Sequence, residues 1–116
     1  MKPLKIFAAL TLLLAMASCS VNKPLYSWGK YEHVTYNYLK NQDDKSVQDL
    51  LKTYESLIKN QDGSRQTVPP GVYADYGFLL LQLNKVEEGK AMLAKEVELY
   101  PESAALVERI LKMTEK

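Results

Sequence analysis

The chain of 116 residues carries one cysteine, one histidine and one tryptophan. A lone cysteine, Cys19, excludes an internal disulfide. With His33 the only imidazole, no second histidine or free thiol remains to complete a metal site. A nucleophile would equally lack the usual base beside it. An excess of one charge is missing too: 15 Lys and Arg face 14 Asp and Glu, interspersed and without a basic run. No cluster exists to displace counterions from phosphates, so nucleic acid is not expected as a partner. Gly29, Gly63, Gly71 and Gly77 form no phosphate-cradling loop. Adjacent acids occur at Asp43-Asp44 and Glu87-Glu88, but neighbours on a helix point different ways. Both pairs fall at expected helix starts, where carboxylates favour the dipole. The expectation is a protein that is not an enzyme and takes no cofactor or metal.

What is present begins with a basic start, Met1-Lys2-Pro3-Leu4-Lys5, and an apolar run over residues 6–17 that ends in Ala17-Ser18 before Cys19. The run lacks the polar face of a core helix and falls short of the roughly twenty residues of a spanning helix. It has the three parts of an export signal. Met16-Ala17-Ser18-Cys19 resembles the bacterial lipobox, with Met where Leu is usual. That resemblance implies cleavage before Cys19 and acylation of its sulfur and amine. Two or more chains anchor stably where one, at about 0.8 kcal/mol per buried methylene, is marginal. Ser20 in place of Asp implies sorting to an outer membrane in a Gram-negative host, with the domain on the periplasmic face. The expected organisation is a signal peptide over 1–18, a lipidated tether over 19–25 and a helical domain over 26–116. Loss of Lys2 and Lys5 leaves 13 basic residues against the same 14 acidic ones, a near-neutral domain.

Helical periodicity dominates the rest, and no run of alternating polarity argues for a sheet. The aromatic cluster Tyr26-Ser27-Trp28-Gly29-Lys30-Tyr31 opens a first helix, on which Tyr31, Val34, Thr35 and Tyr38 share a face flanked by Tyr36 and Leu39. Oxygens in Asn41-Gln42-Asp43-Asp44 are placed to cap a second helix. Its stripe is Val47, Leu50, Leu51, Tyr54, Leu57 and Ile58. Residues 60–67, polar and holding Asp62-Gly63, read as an exposed loop, and Val68-Pro69-Pro70-Gly71 as an extended approach. A third helix over about 72–83 is apolar on Val72, Tyr73, Tyr76, Leu79, Leu80 and Leu83, broadened by Phe78 and Leu81. A fourth, about 86–100, carries Ala91, Met92, Leu93, Val97 and Tyr100 and is stopped by Pro101. Ser103 is placed to cap a last helix, 104–113, with Leu106, Val107, Ile110 and Leu111.

The third and fourth helices resemble a tetratricopeptide unit, whose repeat is about 34 residues in two antiparallel helices. Pro101 falls at the closing proline, Gly77 where the first helix needs close approach, and Leu80 at a large apolar site. Gly89 falls at the small site of the second helix, and Leu93 at the next large site. Tyr73 and Tyr76 stand where Trp and Leu are usual. Earlier, Tyr38, Asn41 and Leu50 echo Leu81, Asn84 and Leu93. The resemblance implies an all-α fold of antiparallel helix hairpins with a C-terminal capping helix.

Across nearly all of the mature chain, three segments resemble a family of small bacterial lipoproteins of uncharacterised function. They are Tyr26-Ser27-Trp28-Gly29-Lys30-Tyr31, Pro69-Pro70-Gly71-Val72-Tyr73-Ala74-Asp75-Tyr76-Gly77 and Leu99-Tyr100-Pro101-Glu102-Ser103. Members are often encoded beside a lipoprotein similar to the curli secretion channel, which implies an envelope partner. Eight tyrosines and Trp28 exceed what a small core needs, and such side chains are enriched at interfaces. Trp28, Tyr31, Tyr36 and Tyr73 are the expected partner-facing residues. The expected function is a lipid-anchored envelope scaffold or adaptor that binds another envelope protein. The alternative is an accessory, or pilot, lipoprotein for assembling a secretion-type channel.

Overall fold

A computed structural model describes residues 2–16 and 22–115. Among them every regular element is helical. The first helix is α1 (Lys2–Met16). No helix of the described residues is long and apolar enough to cross a membrane.

Two hairpins follow. The first joins α2 (Tyr31–Asn41) to α3 (Asp44–Lys59). Helix α2 begins at Tyr31 and not within Tyr26–Lys30, as the aromatic cluster had suggested. It ends where Gln42 turns left-handed and donates its N–H to Tyr38 O at 2.9 Å. Asp43 then starts α3 with a capping box. Its Oδ1 accepts from Ser46 N at 2.8 Å, and its own N–H donates to Ser46 Oγ at 3.1 Å. Two otherwise orphaned donors are satisfied by a pair of short side chains. The stripe read from the spacing is the buried face of α3, with Leu50, Tyr54 and Leu57 in the core.

The second hairpin joins α4 (Val72–Gln82) to α5 (Val86–Leu99), packed closely along their length. Helix α4, apolar but for Asp75 and Gln82, is buried on most sides, as so apolar a helix must be. Val72, Tyr73 and Leu79 face a cluster with Leu50, Tyr54, Leu57 and Val68. Ala74 and Leu81 face a second cluster with Leu93, Val107 and Ile110. The hairpin crosses at Gly77 and Gly89. A Cβ on Gly77 would lie 2.8 Å from Gly89 O and 2.9 Å from Leu93 Cγ; one on Gly89 would lie 2.8 Å from Gly77 O and from Leu81 Cγ. The pairs 77 with 93 and 81 with 89 run in opposite senses, so the helices are antiparallel. A 3-10 turn, Pro101–Ser103, leads to α6 (Ala104–Thr114), which closes the end against α4 and α5.

Three local expectations are corrected. Ser103 does not cap α6; its hydroxyl donates to Glu96 Oε1 at 3.0 Å. Ala91 and Leu106 are exposed, because the neighbouring stripes already fill the gap between α4, α5 and α6. The 60–67 segment is not wholly exposed. Ser64 N donates to Pro24 O at 2.9 Å and Arg65 N to Leu25 O at 3.1 Å, which buries Gly63 and ties the end of the expected tether to the fold. A Cβ on Gly63 would lie 2.5 Å from Tyr26 Cα.

Candidate functional site

Helix α2 is the least covered element of the two hairpins, with no residue fully buried. Its inner face lies on α3, while Tyr36 and Leu39 are 62% and 64% exposed and Trp28, just before it, 43%. Exposed large side chains scattered singly need no explanation, but a contiguous patch does. Here they are contiguous. Trp28, Tyr31, Thr35, Tyr36 and Leu39 line one recess of about 590 Å³. The backbones of α2 and α4 stay apart, and the two helices meet only through side chains. Between them runs a second recess of about 360 Å³, bounded by Tyr38 and Phe78 and backed by Leu50 and Tyr54 of α3. Tyr31, Thr35 and Leu39 belong to both, so the recesses form one groove.

Four aromatic rings stiffen this side of the molecule. Trp28 and Tyr31 have centroids 5.4 Å apart, Tyr31 and Tyr54 6.1 Å, and Tyr54 and Tyr76 5.4 Å, the last pair stacked at 28°. Tilted and stacked aromatic contacts of this kind add stability beyond simple burial. Tyr31 also donates its hydroxyl to Asp75 Oδ2 at 2.8 Å, a bond from α2 to α4 across the groove. Desolvation, reinforced by Asp75, pushes the Tyr31 phenol up to about 12. Burial likewise raises Tyr54. Asp75 keeps an open side to solvent, yet the helices around it desolvate the carboxyl and raise its pKa. The Tyr31 bond opposes that shift and the charge of Glu96 adds to it. The Thr35 hydroxyl, in the shared wall, is buried without a hydrogen-bond partner.

Of the residues expected to face a partner, Trp28, Tyr31 and Tyr36 come together in the groove. Tyr73 does not join them. At 8% exposure it is part of the core, with Lys95 Nζ 5.7 Å from its ring centroid. Tyrosines at helical spacing serve either place, and the packing of α3 against α4 turns this one inward. Cys19, the expected lipidation site, lies outside the described residues. His33 is exposed on α2, with Asn37 Nδ2 3.1 Å from its Nε2. Among the described residues no three His, Cys, Asp or Glu cluster as a metal ion would need.

Two acids escaped notice in the sequence. Asp75 is the single charge in the otherwise apolar α4. Glu96 falls on the Leu93, Val97 and Tyr100 stripe of α5 and is 0% exposed. Its Oε1 accepts from Gly71 N at 2.8 Å and from Ser103 Oγ at 3.0 Å, while Oε2 has no partner. Beside it Tyr100 donates its hydroxyl to Val68 O. These bonds clasp the Pro-Pro-Gly entry of α4 to the end of α5. A charge on an apolar stripe was the available signal in both cases.

Fold and groove define a small helical-hairpin domain whose open face is aromatic. The family described as a domain of unknown function (DUF4810) matches residues 25–110, and the chain belongs to it. No curated protein and no solved structure matches the chain.

Proposed function

We propose that this domain is a tetratricopeptide-like adaptor, held at the outer membrane through lipid on Cys19, that docks a segment of another envelope protein. The observation that carries the docking reading is the groove along α2. Trp28, Tyr36 and Leu39 leave a contiguous aromatic and aliphatic face open beside a channel between two helices. Grooves between packed helices accept peptides and amphipathic helices by burying such anchors. The glycine crossing of α4 and α5 supports the tetratricopeptide comparison. The lipid anchor rests on the export signal and lipobox, and the channel-like lipoprotein as partner rests on the family resemblance.

The test places a photocrosslinking residue at Tyr36 or Leu39, and as a control at Glu108 on the exposed side of α6, in the lipidated protein within its own envelope. One protein crosslinked from the α2 positions, absent from Glu108 and lost on Cys19→Ala, is the expected result. Crosslinks from all three positions alike, or from none, would remove the docking reading.

A further inference from the structure

We propose that the groove along α2 takes a segment of a different protein in which apolar side chains flank an arginine, the guanidinium seated on the groove's rings and paired with Asp75. This rests on the docking reading and gives it a partner chemistry.

Charge and ring geometry carry it. The only charged side chains lining the two recesses are Glu32 and Asp75. Among the described residues neither has an ion-pair partner, whereas Lys45–Asp49 and Lys112–Glu108 pair elsewhere on the surface. The charge within these two recesses is therefore acidic, while Lys30 and His33 line the adjoining recess beyond Glu32 and Tyr36, which Asp75 does not line. Two of its rings, Trp28 and Tyr36, are also exposed. Tyr26 already carries the Arg65 guanidinium at 5.8 Å and Tyr73 the Lys95 ammonium at 5.7 Å. Among the described residues no cation lies over Trp28, Tyr31 or Tyr36. Aromatic faces attract cations, arginine more often than lysine. A planar guanidinium can stack on a ring while its N–H fork meets a carboxylate, which an ammonium cannot do as well. Asp75 carries a desolvated charge that Tyr31 relieves only in part. A guanidinium there neutralises it, while the flanking apolar side chains cover Tyr36 and Leu39. Of this chain's own two arginines, Arg65 is seated on Tyr26 and Arg109 is exposed on α6, so a second copy is the rival occupant that the experiment must separate.

The experiment selects a random-peptide phage library on the full chain in detergent and measures binding of the selected peptides through Trp28 fluorescence, the chain's one tryptophan. Peptides with an arginine among apolar residues are expected. Peptide Arg→Gln and protein Asp75→Asn should each weaken binding about tenfold, and together no more than either alone, the mark of a direct pair. Asp75→Asn keeps an acceptor for Tyr31, and Glu32→Gln is a second variant that changes only an exposed charge. Selected peptides without a basic residue, or binding indifferent to both variants, would overturn the arginine assignment and leave the docking reading standing. No enrichment, or enrichment undiminished by Tyr36→Ala, would overturn both. Self-association lost on Asp75→Asn would place a second copy in the groove and overturn the choice of a different protein.

Discussion

Gly77 and Gly89 face each other across the second hairpin, each so near the other that an added Cβ would sit 2.8 Å from the opposite carbonyl oxygen. The obstacle is backbone, which cannot swing aside as a side chain does. The hairpin must therefore open if either glycine gains a methyl, and the Leu81 and Leu93 contacts beside it loosen together.

Gly77→Ala should destabilise the domain by about 1–3 kcal/mol, the usual range for overpacking, even though alanine favours helix. Urea unfolding followed by circular dichroism checks this. An unchanged midpoint would mean that the helices cross elsewhere.

Glu96→Ala should cost about 3 kcal/mol. It leaves the Gly71 N–H and the Ser103 hydroxyl without their buried acceptor and opens a void. Glu96→Gln, which keeps one oxygen, should cost less. The same unfolding measurement on both variants, with hydrogen exchange at Gly71 as the local readout, separates them.

Asp75 sets a pH dependence. Its folded pKa lies above the ordinary 3.8, so the folded state holds the proton more tightly than the unfolded chain. Its contribution is fully present below about 3.8 and is lost as pH rises through the raised folded value. Asp75→Asn should therefore match the parent's stability near pH 3.5 and exceed it at neutral pH, measured as melting temperature across that range. Equal melting curves throughout would mean that the carboxyl is not desolvated.

Tyr31 acts at the other end of the scale. A phenol held near 12, against 10.0 when free, supports folding until the pH passes through the window between those values. Tyr31→Phe should remove one late-titrating phenol from an ultraviolet absorbance titration and raise Asp75 further by deleting the bond that lowers it. Loss of a phenol titrating near 10.0 instead would place Tyr31 in solvent.

Gly63→Ala should release residues 24–26 from the loop, because its Cβ would meet the Leu25 and Tyr26 backbone. Limited proteolysis near Leu25 should speed up while the helical spectrum holds. Unchanged cleavage would mean that this contact is not maintained.

Periodicity made the helices legible. Leu50, Tyr54 and Leu57 on α3 and the broad apolar surface of α4 announce both the elements and their buried sides, since three- and four-residue spacing has few other uses. The caps were legible where chemistry is local, as at Asp43. They failed at Ser103, where a side chain 7 positions away offered a better bond. The tether contact was invisible because backbone pairing between Leu25 and Arg65 leaves no pattern in the side chains. Trp28, Tyr31 and Tyr36 were recognisable as surplus aromatics, yet Tyr73 looked the same and is core.

By itself, then, the sequence determined the all-helical class and the approximate helix spans, because both follow from local spacing, while the close approach at Gly77 and Gly89 was what the tetratricopeptide resemblance implied. The readings of export and of lipid on Cys19 rest on it alone. Tertiary structure decided which tyrosines are covered, that Asp75 meets Tyr31 and that Glu96 is buried. Those outcomes depend on which helix lies opposite, and an exposed and a buried tyrosine are the same letter until that neighbour is in place.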